Sequence, residues 1–180
     1  MDKRIETQTL RDADLILKHN LLRRLDGGYV RRYHTRPELG YEQDVAAHSW
    51  RATVLLHTLW PDVSKNCLLH MMYHDVAEGQ LGDLPATTKW RHAELSAMMK
   101  DLETEVEREM GVFIQLDSIE KAMCDVADKL ELVLHCHRLL KMGNTYARDV
   151  FVRGLNYILK YEDADWFAPV NRLVKQLNED

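Results

Sequence analysis

The sequence predicts an all-α fold, a single helical bundle of about six or seven helices within a chain of 180 residues. Apolar residues recur at the three- and four-residue spacing of amphipathic helices along most of the chain. The alternating apolar and polar pattern of a half-buried strand is almost absent. Glycine, proline and capping residues separate the periodic segments, and no repeat or low-complexity linker divides the chain. These observations predict one domain, residues 1–180.

The first half of the chain contains two predicted helices joined by a basic loop. The first helix covers residues 9–25, and the basic, aromatic segment 29–37 ends in a proline, which predicts a loop. The second helix covers residues 44–60, and its apolar face includes His48. A lone histidine that points to the core is most often a hydrogen-bonded structural residue. The later predicted helices are 65–78, 85–92, 94–110, 118–142, 145–160 and 165–178.

The third predicted helix ends in a cluster of acid and base groups. His74 is followed directly by Asp75, Glu78 lies one helical turn beyond His74, and Asp83 follows two glycines. Because unpaired charged groups are costly to bury, this cluster indicates a functional site. His70 lies one turn before His74, a spacing found on zinc-binding helices, but it lacks acidic neighbours. We therefore predict a structural or supporting role for His70.

Composition limits the classes of function. The net charge of −5 argues against nonspecific binding of a nucleic acid polymer. The three cysteines form no CxxC motif and lie in apolar helical patterns, which predicts reduced thiols and a cytoplasmic location. The amino-terminal segment has no apolar signal region, and no segment reaches the roughly 18 apolar residues of a membrane span. We therefore expect a small-molecule substrate and no membrane partner.

Two imidazoles and two carboxylates from separate helices form a candidate metal site. They are His48, His74, Asp75 and Asp128, the last on the long helix that begins near residue 118. Taken alone, Asp128 would be interpreted as half of a surface Asp–Lys pair. As a set, the four groups suit one divalent transition metal ion, such as Co, Mn, Zn, Fe or Ni, better than calcium.

Such a site fits metal-assisted hydrolysis. Four protein ligands leave octahedral positions for a water and a substrate oxygen, and a bound ion acidifies that water and polarises a phosphoryl group. Glu78 and Asp83 lie outside the predicted ligand set. They are the candidate catalytic carboxylates, which would orient the water or protonate the leaving oxygen.

These residues resemble a known superfamily. The four predicted ligands resemble the H…HD…D signature of the HD-domain metal-dependent phosphohydrolases. Between residues 73 and 89, the pattern Y-H-D, E, G-D-L-P and K resembles the bacterial 5′-deoxynucleotidases of that superfamily and is similar to the related phage dATP triphosphohydrolases. The resemblance covers roughly residues 15–145 and implies a single HD phosphohydrolase domain. It also implies a homodimer.

The resemblance implies a role for each residue of the pattern. The four residues of the signature are implied to be metal ligands. Glu78 is implied to act on the nucleophilic water, with Asp83 near the leaving oxygen or the sugar. Arg32 and Lys89 are implied to hold phosphate, and Tyr33 to lie against the base or sugar. Arginine forks, lysine ammonium groups and aromatic faces suit these tasks chemically.

Two residues depart from the family pattern. Tyr33 stands where the family has tryptophan, so the base preference does not carry over. Asp125 stands where the family often has lysine, three residues before the last ligand, which removes one cation from the phosphate end. His34, Arg36 and Arg51 are candidates to replace that charge.

The predicted reaction is hydrolysis of a deoxynucleoside 5′-monophosphate to deoxynucleoside and phosphate. The alternative is release of triphosphate from a deoxynucleoside triphosphate in the same pocket. A non-catalytic nucleotide-binding module would need neither Glu78 nor Asp83, and a purely structural metal site would have a closed, cysteine-rich shell. The sequence leaves open the metal, the base, the sugar, the number of phosphates and the oligomeric state.

Overall fold

The computed structural model describes residues 3–40 and 43–179 of the chain. These two ranges are mainly helical and contain no strand, only one isolated antiparallel bridge between Arg31 and Asp44. The predicted all-α class is confirmed. The α-helices of the described ranges are α1 (Lys3–Gly27), α2 (Val45–Leu59), α3 (Lys65–Tyr73), α4 (Glu78–Leu81), α5 (Ala86–Arg91), α6 (Ala93–Met110), α7 (Ser118–Lys141), α8 (Arg148–Ile158) and α9 (Ala168–Glu179).

The helix boundaries follow capping residues in the sequence. The carboxylate of Asp44 accepts a hydrogen bond from the backbone N–H of Ala47 and begins α2. Asp117 begins α7 in a capping box with Glu120. Gly111 ends α6 in the left-handed conformation at φ 68°, which glycine adopts without steric cost. Most helices were therefore predicted close to their observed positions.

The third helix is shorter than predicted. The prediction extended it to Glu78, but α3 ends at Tyr73 and Glu78 begins the separate helix α4. Nδ1 of the His74 ring donates a hydrogen bond to the carbonyl oxygen of Met71. In a continuous helix, that oxygen would instead accept a hydrogen bond from the backbone N–H of Asp75. The next turns close by tighter hydrogen bonds to the residue three positions back. This break in the helix places Glu78 on a different element from His74.

Helix α7 lies at the centre of the fold and packs against α2, α3 and α8. Its contact with α8 is close, because a Cβ atom on Gly154 would lie 2.7 Å from the side chain of Val133. The main hydrophobic core is formed by buried side chains from these helices and from the carboxyl-terminal segment. Its largest fully buried members are Leu56, Met71, Val126, Leu130, Val133, Ile158, Phe167 and Val170.

The ends of α1 and α4 approach each other at two glycines. A Cβ atom on Gly79 would lie 2.8 Å from the Cα atom of Gly27, and one on Gly27 would lie 2.5 Å from the carbonyl oxygen of Val76. Only glycine permits this approach of two backbones. Packing against α1 therefore fixes the helical turn that carries Glu78.

The cysteines are packed as ordinary side chains of a helical core. Cys67, Cys124 and Cys136 are buried and none of them forms a disulfide. Across the described part of the chain, no helix combines the length and the apolar character needed to cross a bilayer.

Candidate active site

Three helices bring potential metal ligands together. His48 comes from α2, His74 follows the last residue of α3 and Asp128 comes from α7; their ligand atoms all lie within 4.8 Å of one another. The two Nε2 atoms are 3.3 Å apart, and Oδ1 of Asp128 lies 3.0 Å from Nε2 of His48 and 3.9 Å from that of His74. Ligand atoms about 2.1 Å from a tetrahedral or octahedral ion are about 3.0–3.4 Å apart. Two of the three distances, 3.3 and 3.0 Å, lie in this range, so the cluster is compact enough for a single ion.

The fourth predicted ligand lies beside the same cluster. Oδ2 of Asp75 is 3.3 Å from Nε2 of His74 and 3.6 Å from Nε2 of His48. The same oxygen accepts a hydrogen bond from Nη1 of Arg32 at 2.7 Å. The structure thus brings all four predicted residues together, and it places Asp75 between the histidine pair and an arginine.

The hydrogen bonds of the two histidines leave their Nε2 lone pairs facing the cluster. Nδ1 of His74 lies 2.8 Å from the carbonyl oxygen of Met71, which can only accept, so this nitrogen carries the hydrogen. Nδ1 of His48 lies 2.8 Å from the carboxylate of Glu131 and likewise donates. In the neutral rings, two acceptor nitrogens face two carboxylates at short distance, an arrangement that a divalent cation stabilises. Without a cation, burial opposes protonation of His74, but Asp75 and Asp128 raise its pKa to about 9. The donor set fits a transition metal ion.

Glu131 belongs to the candidate site and was not predicted from the sequence. It is buried, and its carboxylate accepts hydrogen bonds from His48 and from Nε2 of Gln43 at 2.6 Å. Burial opposes ionisation, but the hydrogen bond from His48 lowers the pKa of Glu131 below its usual value. One signal was present: Glu131 follows Asp128 by three residues and shares its helix face. Nothing in the sequence pointed to Gln43.

A cavity of about 410 Å³ opens beside the cluster. Its wall combines charged groups near the metal residues with an apolar side formed by Leu39, Leu84, Pro85, Leu132 and Val150. Such a cavity suits a ligand with one charged and one apolar end. The predicted site residues that line it are Arg32, Tyr33, Asp75, Glu78, Asp83, Lys89 and Asp128.

Arg32 and Tyr33 form one wall of this cavity. The buried Nε of Arg32 has no hydrogen-bond partner among the described residues, although Nη1 binds Asp75. Tyr33 has a left-handed backbone, φ 58°, which costs a non-glycine residue about 1–2 kcal/mol. Its ring stacks on His135 with centroids 5.2 Å apart and an interplanar angle of 13°. The stack compensates for backbone strain and fixes the aromatic face.

His135 was not predicted either, and it joins two parts of the cavity wall. Its Nε2 lies 2.9 Å from the carbonyl oxygen of Leu39, while its ring supports Tyr33. Both supported residues line the cavity. The contact crosses from α7 to the loop before α2, so sequence spacing gave no sign of it.

The two predicted catalytic carboxylates lie in the cavity with different surroundings. Glu78 is 6 % exposed, and its Oε2 has no hydrogen-bond partner in the described part of the structure. Burial, together with the carboxylates of Asp75 and Asp83, raises the pKa of Glu78 to about 8. Oδ2 of Asp83 lies 3.6 Å from Nδ1 of His34.

Two lysines bring positive charge to the cavity: Lys89, which was predicted to hold phosphate, and Lys129, which was not. Lys89 lines it, with Nζ 3.5 Å from Oε1 of Glu103. Lys129 also lines it and binds Oδ2 of Asp128 at 2.6 Å. The Asp128–Lys129 pair does form, and both of its residues line the cavity of the candidate site.

Three residues were named as candidates to replace the lysine absent at Asp125. Arg36 lines the cavity and pairs with Glu38. His34 lies beside Asp83, and Arg51 lies 3.7 Å from Glu131, outside the wall of this cavity. Of the three, Arg36 is therefore the one that brings a permanent charge to the cavity wall.

An all-α bundle in which two histidines and an aspartate from three helices converge is the architecture of an HD-type metal-dependent hydrolase. A family model described as 5′-deoxynucleotidase YfbR-like matches residues 20–168. The chain belongs to this YfbR-like family. Comparison with curated proteins finds no match, and neither does comparison with solved structures.

Proposed function

We propose that this protein is a metal-dependent 5′-deoxynucleotidase that hydrolyses deoxynucleoside 5′-monophosphates to deoxynucleoside and phosphate. The observation that carries the proposal is one continuous cavity lined by Asp75 and Asp128, two of the proposed metal ligands, together with Arg32 and the buried Glu78. The family description supports the substrate class. The apolar and aromatic side of the cavity suits a nucleoside, and its cationic side suits a phosphate.

In this proposal the ion would be held by His48, His74, Asp75 and Asp128. When bound, it supplies Lewis-acid stabilisation of the phosphoryl group and acidifies water. Glu131 orients His48 through the buried hydrogen bond at 2.8 Å, and the Met71 carbonyl orients His74 in the same way. The protein thus presents its ligand atoms in one fixed arrangement.

The phosphate is positioned by residues of the cavity wall. The unpaired Nε of Arg32 and the ammonium groups of Lys89 and Lys129 can each bind a phosphate oxygen. Arg32 remains charged because Asp75, despite the burial of the guanidinium, raises its pKa above the usual range. Tyr33, held by His135, offers a face on which the base or sugar stacks.

Two carboxylates handle the protons. A water oxygen attacks phosphorus as the bond between phosphorus and O5′ breaks. Oε2 of Glu78 accepts a proton from that water in the ionised form of the carboxylate, which a divalent cation held nearby would favour against the raised pKa. A proton from solvent reaches the departing O5′ by way of Asp83, which lies 3.6 Å from His34. The products are a neutral deoxynucleoside and one inorganic phosphate.

The test is phosphate release from a nucleotide panel. Chelator-treated protein would be reloaded separately with Co²⁺, Mn²⁺, Zn²⁺ or Ni²⁺ and incubated with the four deoxynucleoside monophosphates, their ribose equivalents and the triphosphates. We expect inorganic phosphate from deoxynucleoside monophosphates with at least one metal. The proposal fails if no monophosphate is hydrolysed with any of these metals, and triphosphate release from deoxynucleoside triphosphates alone would replace it with the triphosphohydrolase reaction.

Glu78→Gln separates catalysis from metal binding. The amide keeps the shape of the side chain but cannot accept the proton of the attacking water, so turnover should be abolished. Metal content, measured by elemental analysis of the same preparation, should equal that of the parent protein. Turnover at the parent rate would remove Glu78 from the mechanism.

A further inference from the structure

A second cavity lies against the other side of the metal residues. Its volume is about 470 Å³, and its walls come from α3 and the two residues after it, α5, α6, α7 and the loop at residues 113–116. Asp75 and Lys89 line both this cavity and the first one. His74 lines the second cavity but not the first. The two cavities therefore meet at the catalytic centre, and only the first has been given an occupant.

Two lysines from different helices meet in the second cavity. Lys100 belongs to α6 and Lys121 to the first turn of α7, and both line the wall. The proximity of Lys121, followed by burial, lowers the pKa of Lys100. Two ammonium groups on one cavity wall repel each other, and an anion that binds both removes this repulsion.

Four carboxylates share this wall, and each has a cationic partner or a raised pKa. Asp75 pairs with Arg32. Glu103 faces the ammonium group of Lys89 at 3.5 Å. Burial, followed by the charge of Glu103, raises the pKa of Glu107 to about 7, and burial also raises the pKa of Asp125. Lys100 and Lys121 are consequently the side chains of this wall best placed to bind an anion.

We propose that this second cavity is a separate anion site, in which Lys100 and Lys121 bind a phosphate group other than the one being hydrolysed. The inference rests on the proposed function for the identity of the anion as a phosphate. Its occupant is either the inorganic phosphate released by the reaction or the terminal phosphates of a nucleoside triphosphate. Both present several anionic oxygens, and two adjacent ammonium groups bind such oxygens by charge-assisted hydrogen bonds.

The site would also give the second cavity a role of its own. The first cavity is proposed to hold the nucleotide, and the second is lined by Lys89, Lys100 and Lys121. A phosphate that leaves through the second cavity does not have to pass the nucleoside. A bound product phosphate would slow turnover at high phosphate concentration.

The test is calorimetric titration of the metal-loaded, full-length protein with orthophosphate and, separately, with tripolyphosphate. The variants are Lys100→Gln, Lys121→Gln and the double variant, and Lys175→Gln on α9 is the control for removal of an exposed lysine elsewhere. Circular dichroism would establish that each variant is folded. Nucleotide hydrolysis by the same preparations is recorded as an independent measurement.

We expect the parent and the control to bind two orthophosphates per chain, one at the centre and one in the second cavity. Each single variant should weaken the second event about fivefold, the change that loss of about 1 kcal/mol produces. The double variant should bind one orthophosphate per chain. If only tripolyphosphate binding weakens in the variants, the second cavity binds the terminal phosphates of a nucleoside triphosphate, and the proposed anion site is supported. If the double variant binds both anions with the affinity and stoichiometry of the parent, the inference is overturned.

The two proposals fail separately. Loss of the second binding event in the double variant, in a protein that hydrolyses no nucleotide, would support the anion site and refute the nucleotidase. Normal hydrolysis together with unchanged anion binding in the double variant would leave the nucleotidase intact and refute the anion site.

Discussion

Nδ1 of His48 donates a hydrogen bond to the carboxylate of Glu131 at 2.8 Å, and both side chains are buried. The carboxylate is held in turn by Nε2 of Gln43. The backbone carbonyl of Gln43 accepts a hydrogen bond from the backbone N–H of Arg32. One chain of contacts therefore joins His48, a proposed metal ligand, to Arg32, the arginine proposed to bind phosphate, and a change at either end should affect the other.

Replacement of Glu131 by alanine should weaken metal binding. Without the carboxylate, His48 loses the partner that fixes its orientation and its Nδ1 hydrogen, and loss of such a partner costs about 10–100-fold in metal affinity. A chelator-competition titration would measure the affinity. Glu105→Ala, at an exposed position of α6, is the control. An affinity equal to that of the parent would show that the hydrogen bond does not support the site.

Replacement of Arg32 by lysine should reduce kcat/KM by about 10–100-fold. Lysine keeps the positive charge beside Asp75 but cannot offer Nε to a phosphate oxygen while another nitrogen holds the carboxylate. The expected loss, about 1.4–2.7 kcal/mol, is that of one charge-assisted hydrogen bond. Steady-state kinetics would measure it, with metal content as the control. If kcat/KM stays at the parent value, Arg32 acts only through Asp75.

The part of the site that the sequence predicted is the part carried by local spacing. His74, Asp75 and Glu78 lie close along the chain, and the inward direction of His48 followed from the apolar face of its helix. The helical class followed from periodicity in the same way. Spacing alone did not identify Asp128, which by itself would be interpreted as half of a surface Asp–Lys pair; it was identified as the fourth member of the set with His48, His74 and Asp75.

The remaining contacts depend on how distant elements pack. His135 supports Tyr33 from more than 100 residues further along the chain, and Gln43 reaches Glu131 across a separation of 88 residues. No periodic pattern encodes such pairs. The end of α3 at Tyr73 was missed for a related reason, since it depends on a side chain, His74, that takes a backbone carbonyl.

Tyr33 allows the aromatic face to be tested apart from the hydroxyl group. The hydroxyl is buried and has no hydrogen-bond partner in the described part of the chain, so Tyr33→Phe should keep activity and stability near those of the parent. Tyr33→Ala removes the stack with His135 and the platform for the base, which is worth about 1–3 kcal/mol. KM for a deoxynucleoside monophosphate should then rise about tenfold or more. A Phe variant as impaired as the Ala variant would assign the effect to the hydroxyl.

Gly79→Ala should destabilise the fold at the base of the catalytic turn. The new methyl group would lie 2.8 Å from the Cα atom of Gly27, so two backbones must separate, at a cost of about 1–3 kcal/mol. Because Glu78 precedes this position, the shift should also lower kcat. Urea unfolding and steady-state kinetics on one preparation would measure both effects.

Gly40→Ala is the matched control for Gly79→Ala. Its backbone has φ 88°, but a methyl group there meets nothing within 4 Å, so the cost is backbone strain alone, about 1 kcal/mol. We expect Gly40→Ala to lower the unfolding free energy with little change in kcat, whereas Gly79→Ala lowers both. Equal kcat in the two variants would show that the contact between α1 and α4 stabilises the fold without positioning Glu78.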